Sequence, residues 1–135
     1  MFLLDTNVVS ELMKPEPDPQ VNLWFKAHDR NEVFISVVTI GETVYGFQRM
    51  PEGKRKARLS DWFETDFMEW IQNRVIPISE TIMREWARIM ATSRPLPKMD
   101  SLIAATAITA GATLVTRNIK DFTGVAGLKL ANPWQ

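Results

Sequence analysis

Short runs of β-forming residues, each followed by a longer stretch of helical character, leave this chain few folds to choose from. They cover residues 1–4, 33–37, 75–78, 112–116 and 128–130. Strands alternating with helices build a mainly parallel sheet with helices on both faces, because each crossover helix must lie against the sheet it connects. The expected fold is therefore α/β, with a central sheet of four to five strands in a single domain over residues 1–135. Within it, Pro77 marks its strand as an end or an edge, since proline cannot donate to a ladder.

Local signals place the helices. Met1-Phe2-Leu3-Leu4 stops on Asp5, and Thr6 or Asn7 can accept from the free N–H groups of the turn that follows, so the first helix starts at once. The alternative is that Asp5 itself is the cap. Pro15-Glu16-Pro17-Asp18-Pro19 is a loop whose last two residues read as cap and first helical position, opening a helix through Val21, Leu23, Trp24 and Phe25 that ends near residues 29–31. Thr39 opens the next, with Glu42 on its first turn. Residues 49–58 break the helical pattern, and Trp62, Phe63, Phe67, Trp70 and Ile71 then recur at the spacing of an amphipathic helix packing on a core or a partner. Ser79 caps a helix carrying Ile82, Trp86, Ile89 and Met90, which Pro95-Leu96-Pro97 stops. Residues 102–110 are almost wholly small and apolar, so that helix is buried on most sides and ends at Gly111.

Composition removes several chemistries. With Cys 0, thiol catalysis, disulfides and cysteine-ligated zinc are excluded, and His 1 excludes a two-histidine acid–base pair. His28 itself reads as a solvated residue at a helix end. A net charge of +0 means that any grip on nucleic acid must come from a local patch. The one dense basic run holds Arg49, Lys54, Arg55, Lys56 and Arg58; it is either a solvated surface or, through Lys54, Arg55, Lys56 and Arg58, a phosphate-contacting patch. The apolar start breaks at Asp5, short of a signal-peptide core, and no apolar run reaches membrane-spanning length. A cytoplasmic location without membrane association is the expectation.

Four acids stand at strand or helix ends that face one edge of such a sheet: Asp5, Glu42, Asp100 and Asp121. Taken singly, each has an ordinary explanation as a cap or as a partner of the helix dipole. Together they form a cleft in which carboxylates raise one another's pKa unless cations join them. All-oxygen ligands suit hard ions such as Mg²⁺ or Mn²⁺, and water activated there can attack phosphorus. The residues thus point to metal-dependent phosphodiester hydrolysis.

Ile40-Gly41-Glu42, Met99-Asp100-Ser101-Leu102-Ile103-Ala104-Ala105-Thr106-Ala107, Leu114-Val115-Thr116-Arg117-Asn118-Ile119-Lys120-Asp121-Phe122 and Asn132-Pro133-Trp134, with the opening Met1–Asn7 segment, resemble a PIN-domain ribonuclease. The chain is most similar to the VapC toxins of bacterial VapBC toxin–antitoxin pairs, in the FitB-like branch. That resemblance implies metal-binding and catalytic roles for Asp5, Glu42, Asp100 and Asp121, with Thr6, Thr116 and Asn118 as supporting polar groups. Asn118 stands where relatives often carry an acid. It also implies a Mg²⁺ or Mn²⁺ cofactor, a homodimer, structured RNA such as tRNA as substrate, and a VapB-like antitoxin that obstructs the cleft and carries any operator-DNA binding. Two other readings are a haloacid-dehalogenase-like phosphatase, whose second aspartate is replaced here by Asn7, and a non-catalytic interaction module of the same fold.

Overall fold

The computed structural model describes residues 1–92 and 96–135. In chain order the elements are β1 (Phe2–Leu4), α1 (Thr6–Leu12), α2 (Pro19–Ala27), a 3₁₀ turn (Arg30–Glu32), β2 (Val33–Ser36), α3 (Val37–Gln48) and α4 (Lys54–Asp61). A widened π segment (Trp62–Phe67) joins α4 to α5 (Met68–Ile71), and β3 (Val75–Ile76), α6 (Glu80–Thr92), α7 (Lys98–Ala110), β4 (Thr113–Val115), α8 (Ile119–Phe122) and β5 (Lys129–Ala131) complete it. The strands form one parallel sheet in the order β3-β2-β1-β4-β5. The expected α/β architecture is therefore present, with β3 and its proline at an edge.

The period of two in each strand divides the core between the two faces. Leu3 and Leu114 point to one side, where Ile82, Ile89, Ile103, Ala104 and Phe122 of α6, α7 and α8 cover them. Leu4, Ile35 and Val115 point to the other and meet Val8, Val9, Phe47, Phe63, Phe67 and Ile71. Small residues let α7 lie close to the sheet: Ala104, Ala105 and Ala107 have no exposed surface, and Gly111 ends the helix in the left-handed conformation at φ 67°.

Several local expectations need correction. Asp5, not Thr6 or Asn7, caps α1, accepting from the Thr6 amide at 2.8 Å. Ser36 caps α3 by accepting from the Val38 amide at 3.0 Å, so the helix begins before Thr39 and Glu42 lies on its second turn. The expected break over residues 49–58 is shorter, covering residues 49–53 between α3 and α4. Lys54, Arg55, Lys56 and Arg58 all belong to α4, which opens after Gly53 without a side-chain cap. The aromatic helix widens over Trp62–Phe67, and Phe63, Phe67 and Ile71, spaced by four, are all buried. His28 is half-buried rather than solvated: it stacks on Trp24 at 4.2 Å between ring centroids and meets the edge of Phe2. Ser79 caps α6 as expected, accepting from the Ile82 amide at 3.2 Å. The helix stop assigned to Pro95 lies outside the described residues.

Candidate active site

The sheet order reverses between β1 and β4. The chain winds outward from β1 to β2 and β3, then returns to place β4 on β1's other side. At such a switch point the loops leaving the C-terminal strand ends part in opposite directions and open a crevice. Asp5 leaves β1 there and Thr116 leaves β4. Register carries them into contact: Leu4 pairs with Val115, and the Asp5 amide donates to the Val115 carbonyl at 2.9 Å.

Asp5 is held on both oxygens. Its Oδ1 accepts from the Thr6 amide at 2.8 Å, and its Oδ2 accepts from Thr116 Oγ1 at 2.8 Å and Asn7 Nδ2 at 3.3 Å. The cap and the cleft acid are thus one carboxylate serving both ends. Asn7 also lies 3.3 Å from Thr116 Oγ1, and its own Oδ1 accepts from the Arg117 amide at 3.4 Å, joining the corner after β1 to the corner after β4. Thr116 Oγ1 accepts from the Asn118 amide at 3.1 Å, which shapes the turn into α8. Asn7 is a residue that sequence reasoning passed over. Its signal was available, since an amide two residues past the acid, at the start of a helix, can reach back to it.

Glu42 enters from α3. Thr6 Oγ1 donates to Glu42 Oε1 at 2.6 Å, with fully buried Thr39 Oγ1 at 3.3 Å, so Thr6 links the β1 corner to α3. Asp100 arrives on the first turn of α7, which α6 anchors: Trp86 Nε1 donates to Ser101 Oγ at 2.9 Å, and that hydroxyl donates to the Lys98 carbonyl at 2.8 Å. Asp121 stands exposed on α8. Asn118 is exposed too and contributes its backbone amide to Thr116.

Electrostatics tie these acids together. Burial pushes the Asp5 carboxyl above its ordinary range; the Thr116 and Thr6 hydrogen bonds oppose that rise, and Glu42 and Asp121 add to it. Asp100 is pushed up to about 6, first by burial and then by Asp5, Glu42 and Asp121. All four predicted acids therefore share one electrostatic neighbourhood. Among the described residues, however, no three acids stand together as a ready-made ligand cage.

The predicted basic patch divides. Arg55 and Arg58 face a cleft of about 450 Å³ that Thr6 and Glu42 also line. Lys56 pairs with Glu52 instead, and Lys54 is exposed at the start of α4. No described helix is long and apolar enough to cross a membrane.

A PIN-domain family model matches residues 2–128. This chain belongs to the PIN-domain family. Among curated relatives it is 36% identical to the VapC ribonuclease Y4jK of Sinorhizobium fredii, over 100% of this chain and 99% of that one. It is 31% identical to toxin FitB of Neisseria gonorrhoeae, over 99% of each. The crystal structure of FitAcB from Neisseria gonorrhoeae superposes on it with a TM-score of 0.92 at 30% identity, covering 100% of this chain and 99% of that one.

Proposed function

We propose that the chain is the toxin of a toxin–antitoxin pair and acts as a metal-dependent endoribonuclease at Asp5, Glu42, Asp100 and Asp121. The observation that carries this reading is the electrostatic neighbourhood around Asp5: a buried acid, held by three donors at a parallel-sheet switch point, with Glu42 and Asp121 acting both on it and on Asp100. Membership among proteins described as VapC ribonucleases and FitB toxin supports it.

The donor set fits Mg²⁺ or Mn²⁺, being entirely oxygen. Asp5, Glu42, Asp100 and Asp121 are the residues that would hold such an ion, with water as further oxygen donors. When bound it supplies charge neutralisation and Lewis acidity at the scissile phosphate. The chain's own residues do the rest. Thr6, Thr116 and Asn7 fix the Asp5 carboxylate so that little reorganisation is left for the reaction, and Asn118 holds Thr116 in place. The attacking water's proton passes to a carboxylate, because no cysteine exists and the single histidine is engaged with Trp24 and Phe2 far from these strand ends.

The substrate in this reading is structured cellular RNA such as tRNA, held through its phosphates by Arg55 and Arg58. A VapB-like antitoxin covers the acidic cleft and presents a cation to it, operator DNA is contacted only through that antitoxin, and the toxin is a homodimer. Incubating the purified chain with total cellular RNA in Mg²⁺, Mn²⁺ or excess chelator tests the core claim. Cleavage confined to the metal arms is expected; undiminished cleavage in chelator overturns it, and turnover of a small phosphomonoester instead of RNA favours a phosphatase.

A further inference from the structure

Two arginines stand beside the acids without a partner. Among the described residues, neither the Arg55 nor the Arg58 guanidinium makes a hydrogen bond or ion pair, whereas Lys14 on the same cleft is committed to Glu11 at 2.8 Å. Unpaired guanidinium groups at the mouth of a pocket attract an anion, and phosphate fits their planar fork. Behind them the cleft is apolar: Met13, Phe47, Met50 and Leu59 line it, and its volume of about 450 Å³ lies within the range of small-molecule sites. Thr6 and Glu42 lie on the same wall, which makes the pocket continuous with the proposed scissile site.

Gly46 gives an independent indication. It sits inside α3, lines the cleft, and has nothing within 4 Å of where a Cβ would be. A glycine in a helix interior weakens the helix relative to alanine, and no close contact here demands one. What its absent side chain leaves is room in the pocket.

We propose that this cleft between α1, α3 and α4 is a nucleotide subsite next to the cut, taking one RNA base between Met13, Phe47 and Leu59 while Arg55 and Arg58 hold its phosphate. It rests on the ribonuclease reading for its substrate class. The division of the basic run follows from it: Arg55 and Arg58 grip RNA, and Lys56, folded onto Glu52, does not. Exposed Ser10 Oγ, also on the cleft, is free to hydrogen-bond the base edge.

The probe is a fluorescent, mixed-sequence RNA octamer with 2′-O-methyl sugars, followed by anisotropy in chelator over a range of salt, so that no cleavage is needed. Arg55→Ala/Arg58→Ala should weaken binding about tenfold or more and flatten the log–log salt slope by about 0.7, the value for one single-strand phosphate contact. Gly46→Leu should weaken it about fivefold or more by filling the base pocket, with the parent's salt slope retained. Lys56→Ala should stay within about twofold of the parent. Should leucine unfold α3, Gly46→Ala is the second variant, expected to melt at or above the parent and to lose affinity in the same direction by less. Parent-like affinity and slope in the double arginine variant overturn the subsite. So does a pattern in which the variants bind RNA normally but lose their cognate protein partner, which assigns the cleft to a protein segment. A parent that binds the octamer through these groups yet cleaves nothing in Mg²⁺ sinks the ribonuclease reading and leaves the subsite standing.

Discussion

Asp5 joins two jobs that pull its energetics in opposite directions. As a cap it stabilises α1, and three donors favour its charged form, but burial wins and raises its pKa. Asparagine caps as well as aspartate and carries no charge. Asp5→Asn should therefore abolish RNA cleavage while leaving the metal-free fold within about 1 kcal/mol of the parent or above it. Saturating Mg²⁺ should then raise the parent's melting temperature, by an amount corresponding to about 2.7 kcal/mol at one hundred times Kd, and raise the variant's much less. Equal gains in paired thermal melts would remove Asp5 from the metal site. Asp100 gives a pH signature. Its carboxyl is pushed from an ordinary 3.8 to about 6 in the folded chain, so between these values the folded state holds the proton that the unfolded chain has released. The sign follows: its contribution to stability falls as pH rises from about 4 to 6. In chelator, the parent minus Asp100→Asn difference in unfolding free energy should decline across that window and be flat below it. A difference independent of pH would mean that Asp100 is solvated like any surface acid.

Elements deliver these acids through contacts remote from them. The first turn of α7, which carries Asp100, is fixed by the Trp86–Ser101–Lys98 chain of hydrogen bonds, and Ser101 has no exposed surface. Ser101→Ala leaves the Trp86 indole N–H without its acceptor. The expected cost is about 1–3 kcal/mol by denaturant unfolding, with a loss of cleavage larger than the unfolded fraction explains because Asp100 loses its anchor. Activity falling only in step with stability would show that α7 is positioned by packing alone. At the other end of the sheet, Arg74 makes no ion pair among the described residues yet is 9% exposed; it donates to the carbonyls of Trp70, Arg30 and Val33 and lies over the Trp70 ring at 4.7 Å. This buried cation ties the start of β2 to the turn entering β3. Arg74→Met keeps the stem but removes a buried donor from three carbonyls, and should destabilise by about 2–4 kcal/mol while the folded fraction cleaves RNA at the parent rate. A stability within experimental error of the parent would reduce Arg74 to a surface feature.

Across the whole molecule, the β3-β2-β1-β4-β5 order turns a sequence with zero net charge into an object with a local field. Asp5 and Thr116, separated by more than one hundred positions, meet at one crevice, and Arg55 and Arg58 of α4 face a neighbouring cleft lined by Glu42. Much of this was legible beforehand. Runs of β-formers broken by helical stretches fix a parallel sheet, a parallel sheet fixes which strand ends share an edge, and Asp5, Glu42, Asp100 and Asp121 stand at those ends. Local capping was less legible, because Asp5, Thr6, Ser36 and Thr39 are all competent caps and the choice depends on where the ladder stops. The helical state of Lys54–Asp61 was hidden behind Pro51 and Gly53, whose breaking effect ends sooner than composition implies. His28 looked exposed because its neighbours in the chain are polar; its actual neighbours, Phe2 and Trp24, come from β1 and the preceding helical turn. The sequence by itself determined the strand and helix types and the sheet edge on which the candidate acids stand, since these follow from nearest-neighbour sterics and apolar period. Only the tertiary structure decided that Asn7 bridges Asp5 and Thr116, that Asp100 takes its proton at about 6, and that Arg55 and Arg58 face the cleft while Lys56 folds onto Glu52. Those outcomes depend on distances between residues far apart in the chain, which no local pattern encodes.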